Sequence, residues 1–105
     1  MAVKKKAKGA SGGSLKGSVA ISLAGRDKGV RYAVTGITEE GYALVADGKL
    51  HKAAYPKRKK LKHLQFDGVR IENIDDILSS PGGTADAALR RALKLSAVHH
   101  EDEMI

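Results

Sequence analysis

The stretch GSVAISLAGRDKGVRYAVTGITEEGYALVA (residues 17–46) sets the architecture. Val19, Ile21 and Leu23 alternate with Ser18, Ala20 and Ser22, and a period of two predicts a half-buried strand. Gly25-Arg26-Asp27-Lys28-Gly29 interrupts it, with two glycines around three polar residues. A second strand follows, Tyr32 and Val34 on one face and Ala33, Thr35 and Ile37 on the other. Thr38-Glu39-Glu40-Gly41 reads as a turn and Tyr42–Ala46 as a third strand. Asp47-Gly48 then predicts a hairpin, because a type I′ turn needs positive φ at both central residues. Leu50 to Ala54 is the expected fourth strand, ended by Pro56, which lacks a ladder donor. Beyond the basic run, Leu61–Phe66 is the expected fifth. Short strands with tight turns and few aromatics predict a mainly β fold, a small closed barrel.

After Phe66 the period changes. Asn73 is a candidate cap for a short helix, with Asp75 and Asp76 where the helix dipole favours anions and Ile74, Ile77 and Leu78 on one side. Ser80-Pro81-Gly82-Gly83 ends it. Thr84 is the expected cap of a second helix over about residues 85–98, with Leu89 and Leu93 on one face. The chain therefore divides into a flexible basic arm (1–14), a barrel (15–66), a short helical C-terminal extension (67–98) and a loose tail (99–105). The arm, MAVKKKAKGASGGS, is assigned no structure because Lys, Gly and Ser cannot bury enough apolar area to offset their ordering entropy.

Composition narrows the chemistry. The 105 residues include 19 Lys+Arg, 12 Asp+Glu and no Cys, for a formal charge of +7. Without cysteine there is no disulfide scaffold, thiol nucleophile or cysteine-ligated zinc site. No apolar run approaches a membrane span and no signal peptide is apparent, so a cytoplasmic protein is expected. Residues 1–65 carry a net +11 and residues 66–105 a net −4. Such a directional surface attracts a polyanion through its positive end.

Three segments are candidates to meet that polyanion. The loop Gly25–Gly29 could lay backbone N–H groups and the cations Arg26 and Lys28 against phosphate, with Arg31 just inside the next strand. Its plainer reading is a turn with solvated charges. Lys57, Arg58, Lys59, Lys60 and Lys62 follow Pro56 and lead into a strand, so they would sit on a fixed element; the alternative is a solvated face. Lys4, Lys5, Lys6 and Lys8 in the arm either add phosphate contacts or only aid solubility. His51 and His63 match no ligand spacing, and the His99-His100 tail with Glu101, Asp102 and Glu103 reads as polar chain, so no metal or other cofactor is expected. No nucleophile elbow, P-loop or carboxylate pair stands out, which argues against an enzyme and a small-molecule substrate. With only three Tyr and one Phe, the barrel needs most of its aromatics inside, so phosphate and shape recognition of folded RNA fits better than base stacking. Tyr55, beside the basic run, is the residue placed to stack.

The segment from Lys16 to Val34, with Gly25-Arg26-Asp27-Lys28-Gly29 at its centre, resembles a KOW motif: strand, glycine-centred basic loop, strand. The likeness extends through Leu44–Gly48 and Pro56–Leu64. The chain is similar to small bacterial KOW-domain RNA-binding proteins, which themselves resemble large-subunit ribosomal KOW proteins. That resemblance implies an SH3-like β-barrel and non-catalytic binding of structured RNA, in particular ribosomal RNA. Its motif positions fall on Gly25, Arg26, Asp27, Lys28 and Gly29, and its basic strand on Lys57 to His63. KOW domains also contact proteins, so a protein-interaction module of transcription or ribosome assembly, docking through the acidic helices, is the alternative. Six to ten phosphate contacts would weaken binding by about 10³–10⁵ between 50 and 200 mM salt. Alanine at Lys57 to Lys60 should weaken all RNAs alike, and removing residues 67–105 should spare RNA affinity.

Overall fold

A computed structural model describes the backbone of residues 15–104 and the side chains of residues 15–96. The arm with Lys4, Lys5, Lys6 and Lys8, and the side chains of His99 and His100, lie outside the described residues. The fold is mainly β: strands β1 (Ser18–Ser22), β2 (Arg31–Ile37), β3 (Tyr42–Ala46), β4 (Lys57–Lys60) and β5 (Leu64–Arg70) precede helices α1 (Ile74–Leu78) and α2 (Gly82–Met104). The strands form one antiparallel sheet in the order β4-β3-β2-β1-β5. Its two outermost strands, β4 and β5, are consecutive in the chain and joined only by the 3₁₀ turn Leu61–His63. A three-residue connection cannot cross a flat five-stranded sheet, whose neighbouring strands lie about 4.8 Å apart. The sheet therefore curls until its edges approach, and the architecture is barrel-like.

Register places the side chains. Ala20 lies opposite Tyr32 and Phe66, and Val34 opposite Val45. Ala20, Tyr32, Val34, Ala43, Val45 and Leu64 form the interior cluster. The other face of the same strands, through Val19, Ala33 and Ala46, packs against Ile71, Ile74, Ile77, Ala85, Leu89 and Leu93. The first strands are thus buried on both sides, not one. Small residues suffice inside because Tyr32, fully buried, fills the barrel and packs its ring 5.9 Å from that of His51.

The expected fourth strand was misplaced. Leu50–Ala54 is turn and loop, and the basic run Lys57–Lys60 is itself β4, paired with β3. Asp47-Gly48 makes no two-residue hairpin. The Asp47 carboxylate accepts from the N–H groups of Lys49 (3.0 Å) and His51 (2.9 Å), folding the chain into a local loop before β4. Gly48 (φ +76°) touches α2, where an added Cβ would overlap the Asp86 carbonyl oxygen. Asp86 also holds this loop, accepting from the Ala53 N–H at 2.7 Å, and Arg90 donates to the Gly48 carbonyl.

Boundaries shift as well. β5 continues to Arg70, past the expected barrel limit at residue 66. Asn73 does flank α1, and Asp75 and Asp76 lie in its first turn, but its side chain makes no capping bond. α2 begins at Gly82, ahead of Thr84, with the Ala85 N–H bonded to the Pro81 carbonyl (2.8 Å), and its backbone runs through Met104 into the stretch expected to be loose. Leu89 and Leu93 are buried as their spacing predicts. Among the described residues no helix is long and apolar enough to cross a membrane.

Candidate nucleic-acid interface

Strand alternation splits the basic run in two. Lys59 lies opposite Ala43 and Lys57 opposite Val45, on the barrel side. Lys60 lies opposite Tyr42 and Arg58 opposite Leu44, on the outward side. Lys59 is only 7% exposed, which is costly for an ammonium group unless it is paired. Its partner is Asp27.

Asp27 lies between the two glycines of a polar loop, yet it is buried beside the barrel core. Its Oδ1 accepts from Ser22 Oγ (2.9 Å) and Lys59 Nζ (3.0 Å), and its Oδ2 from Tyr32 Oη (2.6 Å) and Lys57 Nζ (3.2 Å). Lys59 Nζ donates as well to the Ala24 carbonyl at 2.8 Å. Burial alone would push the Asp27 carboxyl up. The hydrogen bonds from Tyr32, Lys59, Ser22 and Lys57 outweigh that and hold it well below the usual carboxylate range. Burial and the neighbouring Asp27 carboxylate push the Tyr32 phenol above its ordinary value, so the phenol stays protonated and donates.

This junction brings the two candidate segments together. It clamps the Gly25–Gly29 loop to β4, while the Leu23 N–H bonds to the His63 carbonyl at 2.8 Å. Arg26 and Lys28 are exposed on that loop, Arg58 and Lys60 are exposed on β4, and Lys62 is exposed in the 3₁₀ turn beside the half-buried His63. The carboxylate between loop and strand does not separate them; it is buried beneath them and ties them.

Three expectations are corrected. The loop's backbone is not free to cradle phosphate throughout: the Lys28 N–H bonds to Gly25 O (3.2 Å) and the Gly29 N–H to Ser22 O (2.8 Å). Gly25 (φ +90°) and Gly29 (φ +91°) serve the turn. Lys59 is an internal ion-pair partner, and Lys57, half-buried, shares the same carboxylate. Arg31 points to the opposite, helix-covered face of the sheet. Its guanidinium pairs with Asp67 (3.1 Å) and donates to the Leu93 carbonyl (3.0 Å) and Ser96 Oγ (3.2 Å). Arg31→Ala should therefore lower unfolding stability by about 1–3 kcal/mol in denaturant titration, while leaving polyanion affinity unchanged.

Tyr55 is 81% exposed, with no ring or cation partner among the described residues. Sequence reasoning passed over Tyr42, which lies outside the barrel under the Arg58 guanidinium, 4.6 Å from its carbon to the ring centroid. Strict alternation with the inward Ala43 and Val45 was the signal that could have placed it. Among the described residues no cluster of His, Cys, Asp or Glu could hold a metal ion.

No protein-family model matches this chain, and no curated protein matches it.

Proposed function

We propose that the protein binds structured RNA, in particular ribosomal RNA, without catalysis, through phosphate contacts from one face of an SH3-like barrel of the KOW kind in the cytoplasm. The observation that carries this reading is the Asp27 junction, which holds two separate basic segments against each other on a rigid scaffold. Five exposed cations, Arg26, Lys28, Arg58, Lys60 and Lys62, are presented there. Rigidly placed cations lose less entropy on binding than those of a mobile chain. The acidic helices offer less to a protein partner, since the apolar stripe of Ile74, Ile77, Leu89 and Leu93 is already buried against the sheet.

The pairing of Lys59 with Asp27 inside the barrel and of Arg31 with Asp67 on the helix-covered face lowers the expected number of phosphate contacts. About five contacts give a slope of log K against log salt of about −3.5 to −4.5, or a loss of roughly 10²–10³ in affinity between 50 and 200 mM. Fluorescence anisotropy with a labelled RNA hairpin over a salt series measures this. A slope near zero would remove the phosphate mechanism.

A further inference from the structure

The outward face of β3 and β4 carries more than charge. Arg58 is exposed, yet its guanidinium is not loose: it lies over the Tyr42 ring at 4.6 Å. No carboxylate pairs with it among the described residues. The ring covers one face of the guanidinium plane and fixes its orientation, so the side chain has already lost much of the rotamer freedom that binding would otherwise remove. A guanidinium is weakly hydrated on its faces, and a planar π system displaces that water readily. Its N–H edges stay available to phosphate oxygens. Lys60, in register opposite Tyr42, projects from the same face about 7 Å farther along β4.

We propose that Arg58, seated on Tyr42, is a stacking platform for an unpaired nucleobase, with Lys60 taking the adjoining phosphate, so that the RNA recognised carries at least one nucleotide outside its helix. This deepens the RNA-binding reading and rests on it. Unpaired bases are the part of RNA that stacks on aromatic rings and on arginine planes, whereas a continuous duplex presents only backbone and groove. Sequence composition pointed away from such stacking because the aromatics were expected inside the barrel. Tyr42 is not inside, and the platform is built from an arginine as much as from a ring.

The test uses two RNA hairpins that differ by one bulged 2-aminopurine. The full chain should bind the bulged hairpin about 10-fold more tightly than the fully paired one, and 2-aminopurine fluorescence should change on binding. Arg58→Lys keeps the charge and removes the plane. It should abolish both the preference and the fluorescence change, while affinity for the paired hairpin stays within about 3-fold. Tyr42→Leu should reduce the preference, because the guanidinium is no longer held, and Tyr42→Phe should retain it. Equal affinity of the unmodified chain for the two hairpins would overturn the platform, as would a preference that survives Arg58→Lys. Failure to bind either hairpin would instead remove the RNA-binding reading, and this one with it.

Discussion

Asp27→Asn is expected to cost about 3–5 kcal/mol of folding stability, because it leaves the buried Lys59 ammonium without its counter-charge. For a domain of this size that corresponds to a fall in Tm of about 15 °C or more. Asn is nearly isosteric and keeps one accepting oxygen, so the loss reports the missing charge and the second acceptor and not a cavity. Lys59→Met should cost less, since Asp27 keeps Lys57, Tyr32 and Ser22 as partners. The double variant Asp27→Asn/Lys59→Met should be more stable than the sum of the single losses, because it removes the orphaned charge. pH gives an independent reading. The folded-state Asp27 value is depressed, so its stabilisation is complete above the unfolded carboxyl value of about 4 and disappears as pH falls below it. The folded-state Tyr32 value is raised, so its contribution is complete below about pH 10 and is lost as pH rises beyond that. Denaturant titrations across pH should show a plateau between these limits, and the Asn variant should lose most of the acid limb. A cost below about 1 kcal/mol would mean that Asp27 is solvated.

The second large effect separates the cations that face out from those that face in. Replacing Arg58, Lys60 and Lys62 together by Ala should flatten the salt slope by two to three units and weaken every structured RNA by about 10² at 100 mM salt, with little change in stability. Lys59→Met should do the reverse, lowering stability and leaving the salt slope of the folded protein unchanged. Alanine at all four positions from Lys57 to Lys60 would mix the two outcomes. Equal slopes for the triple variant and the parent would remove these three cations from the proposed RNA contact.

Much of the fold was legible because apolar runs bounded by glycine-containing turns fill Ser18–Ser22, Arg31–Ile37 and Tyr42–Ala46, and all three are strands; which side each residue faces was less so, since Ala20 and Ser22 are buried and Leu23 is exposed. The helix faces were legible through Ile74, Ile77, Leu89 and Leu93, which are buried. β4 was not legible. In Lys57–Lys60 inward and outward positions are both cationic, so no hydropathy period exists, and the more apolar Leu50–Ala54 drew the assignment instead. The internal role of Lys59 was hidden for the same reason: a buried lysine and a solvated one are the same letter until the opposing carboxylate is located. Asp27 sits between glycines in a polar loop, the usual setting of an exposed residue, and only the closing of the barrel carries it to Tyr32 and Lys59. The bonds from Lys57 and Lys59 to Asp27 bring the Gly25–Gly29 loop beside β4, so the two basic segments adjoin in the folded chain.

The helical segment that lies across Val19, Ala33 and Ala46 has a practical meaning for anyone who wishes to shorten the protein. A fragment trimmed after residue 66, expected from the sequence to keep its affinity, would lose the end of β5 and bare an oily flank that favours aggregation. Transplanting the barrel into another host, or dividing its labour by truncation, therefore demands that the last third of the chain travel with it. Point changes at the surface, not shears, are the tools this molecule permits.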